Sequence, residues 1–151
     1  MTVSRTTSAG LWRFSKEYLH AASLVSKANN GAFSHPTHFL FGRSIELALK
    51  AFLLARGVPY GKLRNPPFGH SLANLLAEAR RRRLGLECKL SAKEIQTIRL
   101  LDAEYSLKRH EYIVTGSFSA PKNISLLFLT TKLVTSLDRY CVNSTYPGMR
   151  T

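Results

Sequence analysis

Hydrophobic residues occupy nearly every position of residues 39–55, so the pattern there is not confined to one side of a helix. A helix that is apolar on all sides is a buried one. Three charged residues, Arg43, Glu46 and Lys50, break this run well before the roughly 20 residues that a membrane span needs. The pattern therefore predicts a central, buried helix within residues 34–57. Because Glu46 and Lys50 are spaced i,i+4 with the acid first, the two side chains can pair on one helix face.

Other stretches of the chain repeat hydrophobic residues at helical spacing and predict further helices. Their predicted inward-facing positions are, in chain order, Leu11, Phe14, Tyr18, Ala21, Ala22 and Val25; Leu72, Leu75, Leu76 and Ala79; Ile95, Ile98, Leu101 and Tyr105; and Ile124, Leu127, Phe128, Thr131, Val134 and Leu137. Ser71 is a predicted N-cap, and Ser91 with Glu94 matches the pattern of a capping box. Residues 58–69 are rich in proline and glycine and are predicted to form a loop, as are residues 109–120.

These elements predict an all-α fold, an up-and-down bundle of about five helices around a buried second helix. The 151 residues fit a single domain. We expect a flexible arm at 1–9, the bundle at 10–140 and a C-terminal tail at 141–151. No stretch has the pattern of a secretory signal or a membrane span, which favours a cytoplasmic protein. Cys88 and Cys141 form neither a metal-ligand nor a disulfide pattern, and we expect unpaired thiols in a reducing compartment.

Charge narrows the choice of partners. The formal net charge is +13, and between Arg56 and Lys93 nine basic residues face only two acidic ones. A concentrated basic patch suits the phosphates of nucleic acids or nucleotides, and it also suits an acidic protein. The alternative is a basic, solvated surface without a dedicated partner, because net charge concerns association rather than fold.

The sequence contains no glycine-rich phosphate loop, no zinc-ligand spacing and no serine nucleophile elbow, so we expect neither a metal nor a cofactor. Candidate chemistry rests instead on cations and aromatic rings, which together can hold a phosphate and stack a base. The candidate nucleotide- or RNA-binding residues are Lys50, His70, Arg80, Arg81, Arg82, Arg83, Tyr105, Lys108, Arg109, His110 and Tyr112.

Each candidate also has a structural interpretation. Lys50 can be the partner of Glu46, and His70 can be a hydrogen-bonding residue beside a helix N-terminus. Tyr105 can belong to the core. The cations that follow it, like Arg80 to Arg83, can complement the dipole at a helix C-terminus. The sequence leaves both interpretations open.

Three segments in this order, SIELALKAFLLARG, GHSLANLLAEARRRRLGL and IRLLDAEYSLKRHEY, resemble the HEPN family of higher eukaryote and prokaryote nucleotide-binding domains. The resemblance covers roughly residues 8–140. It implies an up-and-down helical bundle, a homodimer, and nucleotide or RNA binding. In a subset of the family it implies ribonuclease action as a toxin, with an antitoxin or a nucleotidyltransferase-like protein as partner.

HEPN ribonucleases carry an R-x(4 to 6)-H motif, in which histidine moves a proton of the ribose 2′-hydroxyl and arginine stabilises the phosphate oxyanion. This expression matches the chain at Arg13 to His20 and at Arg64 to His70, about as often as chance would produce. The family places its motif around the fourth helix, and near the predicted fourth helix Arg109 and His110 stand adjacent instead.

Three hypotheses follow. The first is a HEPN-like nucleotide- or RNA-binding bundle without a complete nuclease motif. The second is a metal-independent endoribonuclease toxin that uses Arg109 and His110, completed by a residue from a second subunit. The third is a protein–protein interaction module for an acidic partner.

Overall fold

The structure is a computed structural model that describes residues 5–107 and 120–148. Within these ranges it contains six α-helices and no strand, which confirms the predicted all-α bundle. The helices are α1 (Ser8–Ala28), α2 (His35–Ala55), α3 (Tyr60–Leu63), α4 (Leu72–Arg81), α5 (Ala92–Tyr105) and α6 (Asn123–Thr145). A short 3₁₀ turn, Leu84–Leu86, separates α4 from α5.

Helix α2 is the centre of the bundle, as predicted, and it contacts each of the other α-helices. It begins after Ser34, whose side chain accepts a hydrogen bond from the amide of Thr37. It ends at Ala55, and Gly57, just beyond the C-cap, adopts a φ of 93° that a residue with a Cβ would resist. The amides of Gly57 and Val58 bond back to the carbonyls of Leu54 and Leu53. Both ends of the buried helix therefore have capping hydrogen bonds.

Helix α1 packs on α2 through buried serines as well as through part of the predicted hydrophobic face, of which Leu11 and Ala22 are buried. The hydroxyl of Ser15 donates to the carbonyl of Ser44 at 2.8 Å, and the hydroxyl of Ser44 donates back to the carbonyl of Ser15 at 2.7 Å. Ser8 similarly donates to the carbonyl of Ala51. Phe14, predicted to face inward, is 55% exposed. For Phe14 the prediction was wrong, because Ser15, whose hydroxyl has a backbone partner on α2, takes the inward position beside it.

The buried face of α6 is also displaced from its predicted position. Ile124, Phe128 and Thr131 are exposed, whereas Val134 and Leu137 are buried as predicted. The buried residues of this helix are Asn123, Leu126, Leu129, Thr130, Leu133, Val134, Leu137 and Cys141. A polar residue sets this orientation: Asn123 Oδ1 lies 2.9 Å from His38 Nε2, and its amide nitrogen donates to the carbonyl of Ala32. Hydrophobic spacing alone does not predict which face of α6 is buried.

The segment 58–69, predicted to be a loop, contains the one-turn helix α3. The predicted N-cap at Ser71 and the capping box of Ser91 with Glu94 are both present. Asp102 of α5 adds a second cap to α4, because its carboxylate accepts a hydrogen bond from the amide of Leu72 at 2.7 Å. The start of α4 is thereby fixed against α5, next to the site described below.

The outer bounds of the bundle differ from those expected from the sequence. Helix α1 begins at Ser8, within the expected arm, and α6 continues to Thr145, within the expected tail. Ser8 is buried, and the amide of Ala9 donates to the hydroxyl of Thr145. The start of α1 and the end of α6 therefore contact each other.

Candidate functional site

The carboxylate of Glu46 lies in the interior of the bundle with no solvent exposure. Its Oε2 accepts hydrogen bonds from Arg43 Nη1 at 2.8 Å and from Lys50 Nζ at 3.0 Å. Its Oε1 accepts one from the hydroxyl of Tyr105 at 2.8 Å and lies 2.9 Å from His70 Nδ1. A buried charge is tolerated only when it is paired and hydrogen-bonded in this way.

The pKa values of the two central ionisable groups, Glu46 and Tyr105, are shifted in opposite directions. Burial alone would raise the pKa of Glu46, but the charge of Lys50, the hydrogen bond with His70 and the charge of Arg43 outweigh it and hold the pKa below the ordinary value of 4.5. For Tyr105, burial and the neighbouring Glu46 carboxylate raise the pKa far above the ordinary value. Glu46 is therefore the ionised acceptor, and Tyr105 remains a protonated donor.

Local sequence explains how α2 supplies three members of this cluster. Arg43 and Lys50 stand three residues before and four residues after Glu46, which are the spacings that share a helix face. The Lys50–Glu46 pair predicted from the sequence is confirmed. Lys50 is itself buried, so the ion pair lies inside the fold rather than on its surface.

Tyr105 reaches Glu46 because α2 carries a glycine where the ring lies. A Cβ placed on Gly42 would overlap the ring of Tyr105. His70 is the residue before Ser71, the N-cap of α4, so it reaches Glu46 from the loop before that helix. The cluster thus joins α2, α5 and the loop before α4.

A cavity of about 190 Å³ opens beside this cluster. It is lined by Arg43, Glu46, Leu47, Lys50, Tyr60, Arg64, Gly69 and His70, and we call it the cationic cavity. Arg64 is exposed and lies 5.8 Å from the centroid of the Tyr60 ring. Among the described residues Arg64 forms no ion pair. The cavity therefore carries an excess of positive charge over its single carboxylate, which favours an anion.

His70 has the geometry of a positioned imidazole. Its side chain is 47% exposed while its Nδ1 contacts the buried Glu46 carboxylate. A carboxylate only accepts hydrogen bonds, so the proton of the neutral ring is assigned to Nδ1 and the lone pair to Nε2. His70 can then bind an anion when charged, or accept a proton at Nε2 when neutral.

The structure brings some of the predicted site residues together and separates others. Lys50, His70 and Tyr105 meet at Glu46. Tyr105 is buried, so it contributes a hydroxyl to the site rather than an open face for a base. Lys108, Arg109, His110 and Tyr112 lie outside the described residues.

The run Arg80 to Arg83 lies at the other end of α4 from His70. Ten residues of helix separate the two ends by about 15 Å. Arg81 and Arg82 donate to the carboxylate of Glu78, at 3.0 Å and 2.7 Å from their Nε atoms. The run is therefore a separate basic surface and not part of the cationic cavity.

Sequence reasoning did not identify Glu46 as the centre of the site, nor the roles of Arg43, Tyr60 and Arg64. One signal could have found Arg64. The match of the R-x(4 to 6)-H expression at Arg64 to His70 joins two residues that line the same cavity. The one-turn helix α3 also makes the helix that follows His70 the fourth in chain order. The sequence match alone does not show whether the two residues lie close together, so its meaning becomes clear only in the folded structure.

Neither a metal site nor a membrane span is found in residues 5–107 and 120–148. No group of three or more His, Cys, Asp and Glu side chains is placed to hold a metal ion there. No helix in those ranges is both long and apolar enough to cross a bilayer. Comparisons with protein-family models, with curated proteins and with solved structures give no match to this chain.

Proposed function

We propose that this protein binds the phosphate groups of RNA or nucleotides in the cationic cavity. The observation that carries the proposal is the charge of the cavity wall, where Arg43, Lys50 and Arg64 face the single carboxylate of Glu46. Guanidinium and ammonium groups are the side chains best suited to phosphate oxygens.

The buried carboxylate makes the cavity pre-organised. Glu46 fixes the positions of Arg43 and Lys50, whose side chains would otherwise lose conformational freedom when a ligand bound. Arg64 and His70 are exposed and can approach the ligand directly. The net charge of +13 would attract a polyanion to this surface over a longer range.

We propose in addition that the chain is HEPN-like. The all-helical bundle supports this, as does the convergence of Arg64 and His70 at one cavity. The homodimer and the antitoxin or nucleotidyltransferase-like partner implied by the resemblance stay predictions, as does a cytoplasmic location.

The proposal is tested with a labelled single-stranded RNA in a filter-binding or fluorescence assay at several salt concentrations. We expect affinity to fall steeply between about 50 mM and 200 mM salt, and Arg64→Gln to weaken binding and reduce the salt slope by about 1. Arg99→Gln is the matched control, because Arg99 is exposed on α5 and does not line the cavity. Absence of binding, or an equal loss in both variants, would contradict the proposal.

A second candidate function is cleavage of RNA in the same cavity. The observation that favours it is the contact between Glu46 and the exposed His70, with Arg64 and Lys50 beside them. In this reaction His70 Nε2 takes the proton of a ribose 2′-hydroxyl, and the oxygen attacks the adjacent phosphorus. The bond to the 5′-oxygen breaks, leaving a 2′,3′-cyclic phosphate, and water protonates the leaving oxygen. Arg64 and Lys50 would stabilise the charge on the phosphoryl oxygens.

The two functions are separated on a denaturing gel run in the presence of a chelator. Cleavage requires that His70→Ala abolish product while His20→Ala, at an exposed histidine of α1, leaves it unchanged. Product lost only in His110→Ala would assign the chemistry to Arg109 and His110 instead. Intact RNA with a salt-sensitive shift supports binding alone. Neither signal would favour the hypothesis of a protein–protein module with an acidic partner.

A further inference from the structure

A second concave space lies directly beside the cationic cavity, between α1 and α2. It has a volume of about 500 Å³, and we call it the apolar groove. Its lining includes Phe14, Glu17, Tyr18 and Ala21 of α1. Arg43, Leu47 and Tyr60 line both spaces, so the groove and the cavity share a wall.

The sizes of the two spaces suit different parts of one ligand. Sites for drug-sized molecules and cofactors enclose about 300–1,000 Å³. The cationic cavity, at about 190 Å³, is smaller than that range and suits a single charged group. The groove, at about 500 Å³, has room for the larger, uncharged part of the same molecule.

The chemistry of the shared wall indicates what that uncharged part is. Cations lie near aromatic rings on both sides, with Arg43 5.9 Å from the ring centroid of Tyr18 and Arg64 5.8 Å from that of Tyr60. Phe14 adds a third ring that is exposed to solvent. Aromatic faces beside cations are the combination that stacks a nucleobase while its phosphate is held.

The difference in charge between the two spaces favours one direction for such a ligand. Glu17 and Arg43 both line the groove, and Oε1 of Glu17 also lies 3.8 Å from Nε of Arg13, so the groove has no excess of positive charge among its own lining residues. The cationic cavity does carry such an excess. A molecule with an aromatic base at one end and a phosphate at the other is therefore favoured with its phosphate in the cationic cavity and its base in the groove.

We infer that the apolar groove binds the base of a nucleotide whose phosphate occupies the cationic cavity. This inference rests on the proposed function and specifies its ligand as a base-bearing phosphate rather than phosphate alone.

The test measures affinity by calorimetry for inorganic phosphate, adenosine, and adenosine 3′- and 5′-monophosphates. We expect the better of the two nucleotides to bind at least about tenfold more tightly than phosphate, since stacking a base on an aromatic side chain gives this order of gain. Arg64→Gln should weaken the binding of phosphate and of nucleotide alike.

Ala21→Leu separates the groove from the cavity, because Ala21 lines the groove but not the cationic cavity and a larger side chain there takes up space in the groove. We expect this variant to lose about tenfold in nucleotide affinity, down to the level of phosphate. Its affinity for phosphate should be unchanged, which also shows that it is folded. Ala77→Leu, at an exposed position of α4, is the matched control.

Phe14→Ala is a second variant, with Phe128→Ala on α6 as its control; both rings are exposed, so neither change removes core volume. Nucleotide affinity should fall only in Phe14→Ala. If phosphate binds but nucleotide binds no better, or if Ala21→Leu leaves nucleotide affinity intact, the inference is overturned and the proposed function stands. If phosphate, nucleotide and RNA all fail to bind, both are overturned.

Discussion

Two helices of this bundle hold a carboxylate between two cations, and the two arrangements differ mainly in burial. On α2, Glu46 contacts Arg43 and Lys50. On α4, Glu78 contacts Arg81 and Arg82. Both patterns use neighbours three and four residues away along one helix. The side chain of Glu46 has no exposure, whereas that of Glu78 is 17% exposed and its arginines reach solvent.

The difference shows that helix spacing creates an ion pair but burial decides its role. The hydrogen bonds from Arg81 and Arg82 hold the pKa of Glu78 at about 2, yet its pairs remain accessible to water and salt. The carboxylate of Glu46 is removed from water, so it must retain its partners from α2, α5 and the loop before α4. The Glu78 cluster therefore lies on the surface, whereas the Glu46 cluster holds together residues from several elements at the candidate site.

The largest expected effect comes from removing the buried charge. Glu46→Gln keeps the volume of the side chain but leaves the buried Lys50 and the half-buried Arg43 without a counter-charge. We expect the free energy of unfolding to fall by about 3–5 kcal/mol, as for other broken buried pairs. Urea unfolding followed by circular dichroism measures the loss.

Glu78→Gln is the matched change on α4, and its loss should be far smaller because exposed pairs contribute little. Raising the salt concentration should shrink the Glu78→Gln effect further and leave the Glu46→Gln effect nearly intact. Equal losses in the two variants would contradict this expectation, since they would mean that burial does not distinguish the two clusters.

Acid should remove the contribution of Glu46 in a defined direction. Its pKa in the folded protein lies below the ordinary 4.5, so its stabilising effect is fully present above pH 4.5 and is lost as the pH falls through the folded pKa. We expect the difference in unfolding free energy between wild type and Glu46→Gln to be constant near neutral pH and to shrink below about pH 4.5. Unfolding curves at several pH values measure it, and a difference that grew on acidification would contradict the pKa direction.

The sequence predicted the part of this site that lies on one helix. The buried α2 and the Glu46–Lys50 pair follow from local spacing, as do the caps at Ser71 and Ser91. Contacts that depend on the path of the chain could not be predicted. His70 and Tyr105 stand 24 and 59 residues away from Glu46, and they meet it only because loops return them there.

The same limit explains the helix faces that were predicted wrongly. On α1 a hydrophobicity pattern favours Phe14 as an inward residue, but Ser15 lies inward because its hydroxyl finds a backbone partner on α2. On α6 the buried amide of Asn123 orients the helix and leaves Phe128 70% exposed. Polar residues with specific partners can override the hydrophobic period, and their partners lie on other helices.

A substitution at Gly42 should have a smaller effect on stability, and it tests how Tyr105 packs in the buried cluster. Gly42→Ala places a methyl group where the Tyr105 ring lies, so the ring must move away from Glu46. We expect a loss of about 1–3 kcal/mol in unfolding free energy, the usual effect of overpacking a core. Tyr105→Phe, which removes only the hydroxyl, should lose about 0.5–1.5 kcal/mol. Gly85→Ala is the control, because a Cβ there meets no neighbouring atom. A neutral Gly42→Ala would show that Tyr105 has another place to lie.

The smallest expected effect concerns the arginine run and tests whether it has a role beyond structure. Arg83 adopts a left-handed φ of 66° at the turn after α4, a conformation that glycine reaches without strain. Arg56 bonds to the backbone carbonyls of Arg82 and Arg83, and these contacts do not depend on the Arg83 side chain. Arg83→Gly should therefore stabilise the fold by up to about 1 kcal/mol, the strain released less the entropy cost of glycine. Thermal unfolding measures this gain.

RNA affinity measured on the same variant decides what the run does. If Arg80 to Arg83 form only a solvated helix end, Arg83→Gly should weaken RNA binding no more than Arg99→Gln, because each removes one exposed cation. A loss as large as that of Arg64→Gln would mean that the two basic regions hold one nucleic acid together. The contrast between an organised cavity and an incidental surface would then have to be replaced by a continuous binding path along α4.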